Sequence, residues 1–314
     1  MNSRHQLDPE IADTVRAVPF PDLDENVLGD MRAFAFPGPE LCDLVTREEL
    51  EVPGLNTGDP SVPVRVHAPV DRLAPLPGVV AIHGGGYVIG DRTMCDGLFD
   101  RWCLDPGMVG VSVGYRRAPE TPYPGPLDDC YRALKWTVTN AEALGIDPSC
   151  IGVYGVSAGG GLAAGLTLLA RDRGEIDIDF QFLQYPMLDD RQATPSSQLD
   201  DLYLWSRRSN AFGWKAYLGN LYGGHDIPAY AAPARAQVIE GLPPAYICVG
   251  AMDGFRDEDI AYAQRLLQAG VPTELHVLPG LPHGFDFLGD SAIARQSALN
   301  GDEWIRRQLR DCSV

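Results

Sequence analysis

Ile151-Gly152-Val153-Tyr154-Gly155-Val156-Ser157-Ala158-Gly159-Gly160-Gly161, running on to Ala170, is the stretch on which the reading of this chain turns. Its first four residues form an apolar run that reads as a buried strand, Gly155 to Gly159 as a tight turn, and Gly160 to Ala170 as a helix. The turn fits G-x-S-x-G, the pattern that lifts a serine above a sheet on a sharp strand-to-helix bend. Such a bend needs small neighbours because its two backbone arms approach closely, and Gly155 and Gly159 supply that room. Glycines inside a helix cost roughly 1 kcal/mol each against alanine, so Gly159-Gly160-Gly161 calls for close helix-on-strand packing. The first-turn N–H groups, that of Ala158 included, lack helical partners and point where an oxyanion would form. Taken alone, the pattern also arises by chance in glycine-rich chains.

Working outward, Gly78 to Ile82 is a continuous apolar run that reads as a fully buried strand. His83-Gly84-Gly85-Gly86-Tyr87 follows at once. A tri-glycine loop at a strand end can turn its N–H groups inward as an anion-binding nest. A phosphate loop is the rival use, but no Lys-Ser or Lys-Thr pair follows and Ile89 spoils G-x-G-x-x-G. Val109 to Val113 and Phe180 to Tyr185 read as further strands, as do Pro244 to Val249 and Thr273 to Leu278. Helices are expected at Leu127–Ala143, Asp257–Ala269 and Ala292–Leu309. Strands alternating with helices of this length give an α/β class, a mostly parallel sheet flanked by helices. Val62, Val64 and Val66 alternate with Pro63, Arg65 and His67 as an antiparallel edge strand would.

Two segments break this rhythm. Residues 1–50 show helical character near Asp8–Val18 and Glu40–Glu51, separated by Pro19, Pro21, Pro37 and Pro39. Residues 187–239 carry Tyr203, Trp205, Phe212, Trp214, Tyr217 and Tyr222 among short helical pieces. Most of those aromatics suit a satellite core, and an insertion of this kind also serves as a lid over a pocket. The expected organisation is therefore a helical cap from 1–50 and 187–239 over a core split between 51–186 and 240–314.

A net charge of -18 disfavours nucleic acid and anionic membranes as partners. No apolar run reaches the roughly 18 residues of a membrane span and the N-terminus is polar, so a cytoplasmic location is the default expectation. Seven scattered cysteines, none spaced as C-x-x-C, indicate neither zinc nor a redox pair and are expected to be buried, reduced and inert.

Ser157, Asp253 and His283 each follow a separate expected strand, and loops of that kind open on one edge of a parallel sheet. Their order along the chain is that of α/β-hydrolase triads, and the His83-Gly84-Gly85-Gly86 loop lies on the same edge. From Gly78 onward the chain resembles the hormone-sensitive-lipase family of α/β-hydrolases, the bacterial family IV esterases. The likeness rests on His83-Gly84-Gly85-Gly86-Tyr87, Tyr115-Arg116-Arg117-Ala118-Pro119-Glu120, Gly155-Val156-Ser157-Ala158-Gly159-Gly160, Asp253-Gly254-Phe255-Arg256-Asp257 and Pro282-His283-Gly284-Phe285. It implies a carboxylester hydrolase with an N-terminal cap and a pocket for short or medium acyl chains, and it admits a homodimer. Val156 stands where the family more often has Asp, Glu or Thr, and its side chain is expected to face away from the nucleophile.

Ester cleavage then assigns the roles. His283 takes the Ser157 proton and Asp253 orients the imidazole, while N–H groups of Gly84, Gly85, Gly86 and Ala158 hold the oxyanion. No metal or organic cofactor is required, and the partner is a small ester. Since an ordinary histidine must be neutral to accept a proton, the rate is expected to fall below about pH 6.5. Asp257 is the rival acid, but Asp257, Glu258 and Asp259 suit a helix N-terminus. His5, His67, His225 and His276 read as structural, and His83 as a brace for the glycine loop. Two other functions fit parts of the pattern: a non-catalytic ligand-binding protein on this scaffold, and a nucleotide binder using Gly159-x-Gly161-x-x-Ala164. Intact Ser157, Asp253 and His283 argue against the first, and the second leaves Ser157 and the His283 loop without a role and has no acid ending the next strand at the expected distance; lactones, carbamates or amides remain alternative substrates.

Overall fold

A computed structural model describes residues 7–18, 20–34, 40–54, 58–72, 74–199, 202–288 and 291–312. His5, Pro19, Pro37 and Pro39 lie outside the described residues. The strands are β1 (Val45–Val52), β2 (Val62–Pro69), β3 (Leu76–Ile82), β4 (Val109–Val113), β5 (Ile146–Val156), β6 (Gln181–Gln184), β7 (Ala245–Gly250) and β8 (Thr273–Leu278). They form one sheet in the order β1-β2-β4-β3-β5-β6-β7-β8. β2 runs antiparallel to both β1 and β4, and every other pairing is parallel. This is the α/β-hydrolase architecture expected.

The helices are α1 (Ala12–Ala17), α2 (Leu28–Ala33), α3 (Asp96–Trp102), α4 (Gly125–Thr139), α5 (Ala141–Leu144), α6 (Ala158–Arg173), α7 (Arg207–Leu218), α8 (Arg256–Gln268) and α9 (Ala292–Cys312). Period-two alternation along the strands divides them between two cores. Val80, Ile82 and Val153 join the core under α4, α6 and α8. Val79, Ala81, Tyr154 and Val156 face the core under α3 and α9. With apolar groups buried on both faces, the strands lose the polar alternation of a solvated sheet, which is why they read as continuous apolar runs.

Three expectations fail. The helix expected near Glu40–Glu51 is strand β1, so the sheet begins inside the segment read as an appendage. Its charges are those of a protected edge: Arg65 pairs with Glu49 across the ladder, and pairing with β2 overrides helix propensity. In consequence β2 is not the edge strand, and Pro63 is tolerated because it sits at the strand's start, before the register with β4 begins at Val64. Finally, the cysteines are not all reduced: Cys150 at β5 is disulfide-bonded to Cys312 at the end of α9. Spacing could not reveal this pair, which is 162 residues apart in sequence. Of the rest, Cys42 is half-buried, and Cys95, Cys103, Cys130 and Cys248 are buried thiols.

Candidate active site

The bend between β5 and α6 puts Ser157 in a conformation few side chains adopt, with φ 56° and ψ -121°. The glycines beside it are there for space. A Cβ on Gly155 would lie 2.2 Å from the Gly159 carbonyl oxygen, and one on Gly159 would lie 2.1 Å from that of Ile82. Any larger residue at either place would push α6 off the strands beneath it.

His283 follows β8 and Asp253 follows β7, on the same sheet edge as Ser157. Ser157 Oγ is 2.9 Å from His283 Nε2, and His283 Nδ1 is 2.7 Å from Asp253 Oδ2. The second Asp253 oxygen accepts the Phe255 N–H at 2.9 Å, which fixes the carboxylate. All three side chains are buried. Asp257 is engaged elsewhere: its Oδ2 accepts the Ser196 N–H at 2.7 Å, and Arg256 pairs with Oδ1.

Against Ser157 lies the glycine loop after β3. A Cβ on Gly84 would sit 3.3 Å from the Ser157 Cβ. The N–H groups of Gly85, Gly86 and Ala158 donate to no backbone carbonyl among the described residues. His83 holds this loop through Nδ1, 2.7 Å from the Gly84 carbonyl, and stacks on Tyr115 at 4.2 Å. Burial lowers its pKa to about 4, so the ring is neutral. His67 contacts Asp96, His276 contacts Glu274, and the exposed His225 offers its carbonyl to Arg235; none of these approaches Ser157.

A cavity of about 320 Å³ opens over Ser157 and His283. Val18, Phe20 and Phe34 reach it from the N-terminal segment, and Leu204 and Trp205 from the insertion. Val156, expected to face away, lines the cavity as well, its Cγ1 lying 3.6 Å from the Cβ position of Gly84. Most insertion aromatics pack as a core, with Tyr217 stacked on Tyr87 at 3.9 Å and Trp214 fully buried. Three rings surround the imidazole of His283: Tyr185 at 4.7 Å, Phe255 at 5.0 Å and Trp205 at 6.3 Å between centroids. The sequence marks Trp205 only as one of the aromatics of a lid-like insertion and Tyr185 only as the end of a strand before Pro186, and neither signal places the ring against His283. Among the described residues no cluster of metal-ligating side chains forms, and no helix is long and apolar enough to cross a membrane.

The sequence profile of the alpha/beta hydrolase fold family matches residues 79–287. Esterase LipI of Mycobacterium tuberculosis is 35% identical over 285 residues, covering 89% of this chain and 88% of that protein. Carboxylesterase NlhH of the same organism is 38% identical over 260 residues, covering 79% and 77%. Among solved structures, a bacterial heroin esterase superposes with a TM-score of 0.91 at 42% identity, covering 98% of this chain and 99% of the other.

Proposed function

Since this chain belongs to the alpha/beta hydrolase fold family, in its hormone-sensitive-lipase-like branch, and is a carboxylic ester hydrolase, we propose that Ser157, His283 and Asp253 are its catalytic triad. The observation that carries this reading is the unbroken line of contacts, 2.9 Å from Ser157 Oγ to His283 Nε2 and 2.7 Å from His283 Nδ1 to Asp253. His283 removes the hydroxyl proton as Oγ attacks the ester carbonyl carbon. The oxygen that becomes negative is received by N–H groups of Gly84, Gly85, Gly86 and Ala158, each donor of this kind being worth about 2.7–4 kcal/mol in the transition state. Collapse expels the alcohol, which takes the proton from His283, and leaves an acyl group on Ser157. Water, deprotonated by His283, then repeats the sequence and releases the acid. Asp253 keeps Nε2 free to accept by holding the other ring nitrogen.

Residues 7–34 and the insertion act as a cap, and the apolar cavity of about 320 Å³ beneath them suits short to medium acyl chains. The test is Ser157→Ala, expected to lower kcat by at least about 10⁴-fold with the fold retained. An organophosphate should label the wild type at Ser157 and leave the variant unlabelled. Turnover equal in both proteins, or label on another residue, would refute the assignment.

A further inference from the structure

Met94, Val156 and Phe287 line not only the cavity over Ser157 but also a second one of about 560 Å³ behind it. This chamber lies on the sheet face covered by α3 and α9, and Trp102, Tyr154, Phe182 and Phe285 give it aromatic walls. Its charged lining residues are Arg101, Asp286 and Asp302. Arg101 is matched, since its Nη2 lies 3.2 Å from Asp302 Oδ1, an oxygen that also accepts the Trp102 indole N–H at 2.8 Å. Asp286 has no lysine or arginine partner among the described residues. It accepts the Tyr185 hydroxyl, and its side chain is exposed to the chamber it lines.

We propose that the second chamber is a binding subsite for an ammonium group carried by the ester substrate, held between the Asp286 carboxylate and the aromatic walls while the ester reaches Ser157 past Phe287. This rests on the esterase reading of Ser157. A cation over aromatic faces is attracted by their quadrupoles, and the attraction grows as water is excluded. A purely apolar tail would cover Asp286 and leave a desolvated, unpaired charge. An anionic group would meet one more carboxylate than cation. Phe287 is 54% exposed and lines both spaces, the least buried of the three residues they share.

The experiment compares p-nitrophenyl esters whose acyl chains are of identical shape, one ending in trimethylammonium and the other in tert-butyl, and then acetate esters of two alcohols ending in the same two groups. Wild type should favour the ammonium ester of at least one pair by about tenfold in kcat/KM. Asp286→Asn should bring that ratio close to one, and Ala298→Phe, which fills the chamber from α9, should do the same. Ala298→Phe should hydrolyse p-nitrophenyl acetate like wild type. Calorimetric titration of Ser157→Ala with benzyltrimethylammonium reads the subsite without turnover, and Asp286→Asn in that background should weaken binding severalfold. Ratios near one for both pairs in wild type, or benzyltrimethylammonium binding indifferent to Asp286, would overturn the subsite. Absence of acetate hydrolysis together with Asp286-dependent binding would instead overturn the reading of Ser157.

Discussion

At the scale of single residues, Asp253 and Asp257 are separated by what each carboxylate touches. Asp253 reaches His283 Nδ1 at 2.7 Å, whereas Asp257 accepts the Ser196 N–H at 2.7 Å. Asp253→Asn should lower kcat by about 10³–10⁴-fold, because the amide favours the wrong imidazole tautomer. Asp257→Asn should leave kcat within about twofold, and steady-state kinetics on one short ester decides between them. A second prediction concerns His83, whose pKa burial lowers to about 4. Between pH 6.5 and 4 the unfolded chain binds a proton at this histidine that the folded chain refuses. The stability His83 confers is thus full above about 6.5 and is lost as pH falls through 4, by on the order of 3 kcal/mol. Chemical denaturation across that range should show a steeper loss for wild type than for His83→Asn, and parallel curves would contradict it. Ser157, Asp253 and His283 were legible because each sits in a local signature at a strand's end. Tyr185 and Trp205 were not: the contacts that bring them to His283 span the chain, and nothing in their own neighbourhoods requires them.

At the scale of elements, α2 shows how a segment with little core of its own is held. Arg32 donates from Nε to the Val88 carbonyl at 2.7 Å and from Nη2 to the Ala118 carbonyl at 2.8 Å, and it pairs with Glu120. Glu120 is largely exposed, so the ion pair adds little, and the bonds to buried carbonyls do most of the holding. Phe34, which directly follows α2, lines the cavity. Arg32→Ala should therefore raise KM for a medium-chain ester by roughly fivefold, the loss of about 1 kcal/mol, with kcat for acetate esters little changed. An equal fall in kcat for both substrates would mean the anchor acts on the chemistry rather than on the cavity wall. This docking was illegible in sequence, as was β1, whose glutamates mask a strand that only its partner specifies. The parallel strands were legible, since burial on both faces leaves them no polar positions.

At the scale of the whole molecule, the sheet order could not be deduced, because alternation of strands and helices does not say where each crossover lands. The Cys150–Cys312 bond was equally hidden, and it has a clear energetic expectation. It joins β5, which leads directly to Ser157, to the end of the last helix, closing a loop of 162 residues. Closing so long a loop restricts the unfolded chain, and native disulfides contribute typically about 2–4 kcal/mol. Cys150 sits seven residues before Ser157 on the extended β5, roughly 20 Å down the strand from the edge that carries the triad, so the bond should act on stability and not on turnover. Cys312→Ser, or full reduction under mild conditions, is expected to lower the melting temperature by on the order of 5 °C while kcat and KM at 25 °C stay unchanged. Thermal unfolding with and without reductant, beside the mass of the alkylated protein, measures both halves of that claim. Identical melting curves for a protein shown to carry the bond would mean that α9 stays docked through its packing alone, with Trp304, Ile305 and Leu309 buried against the sheet.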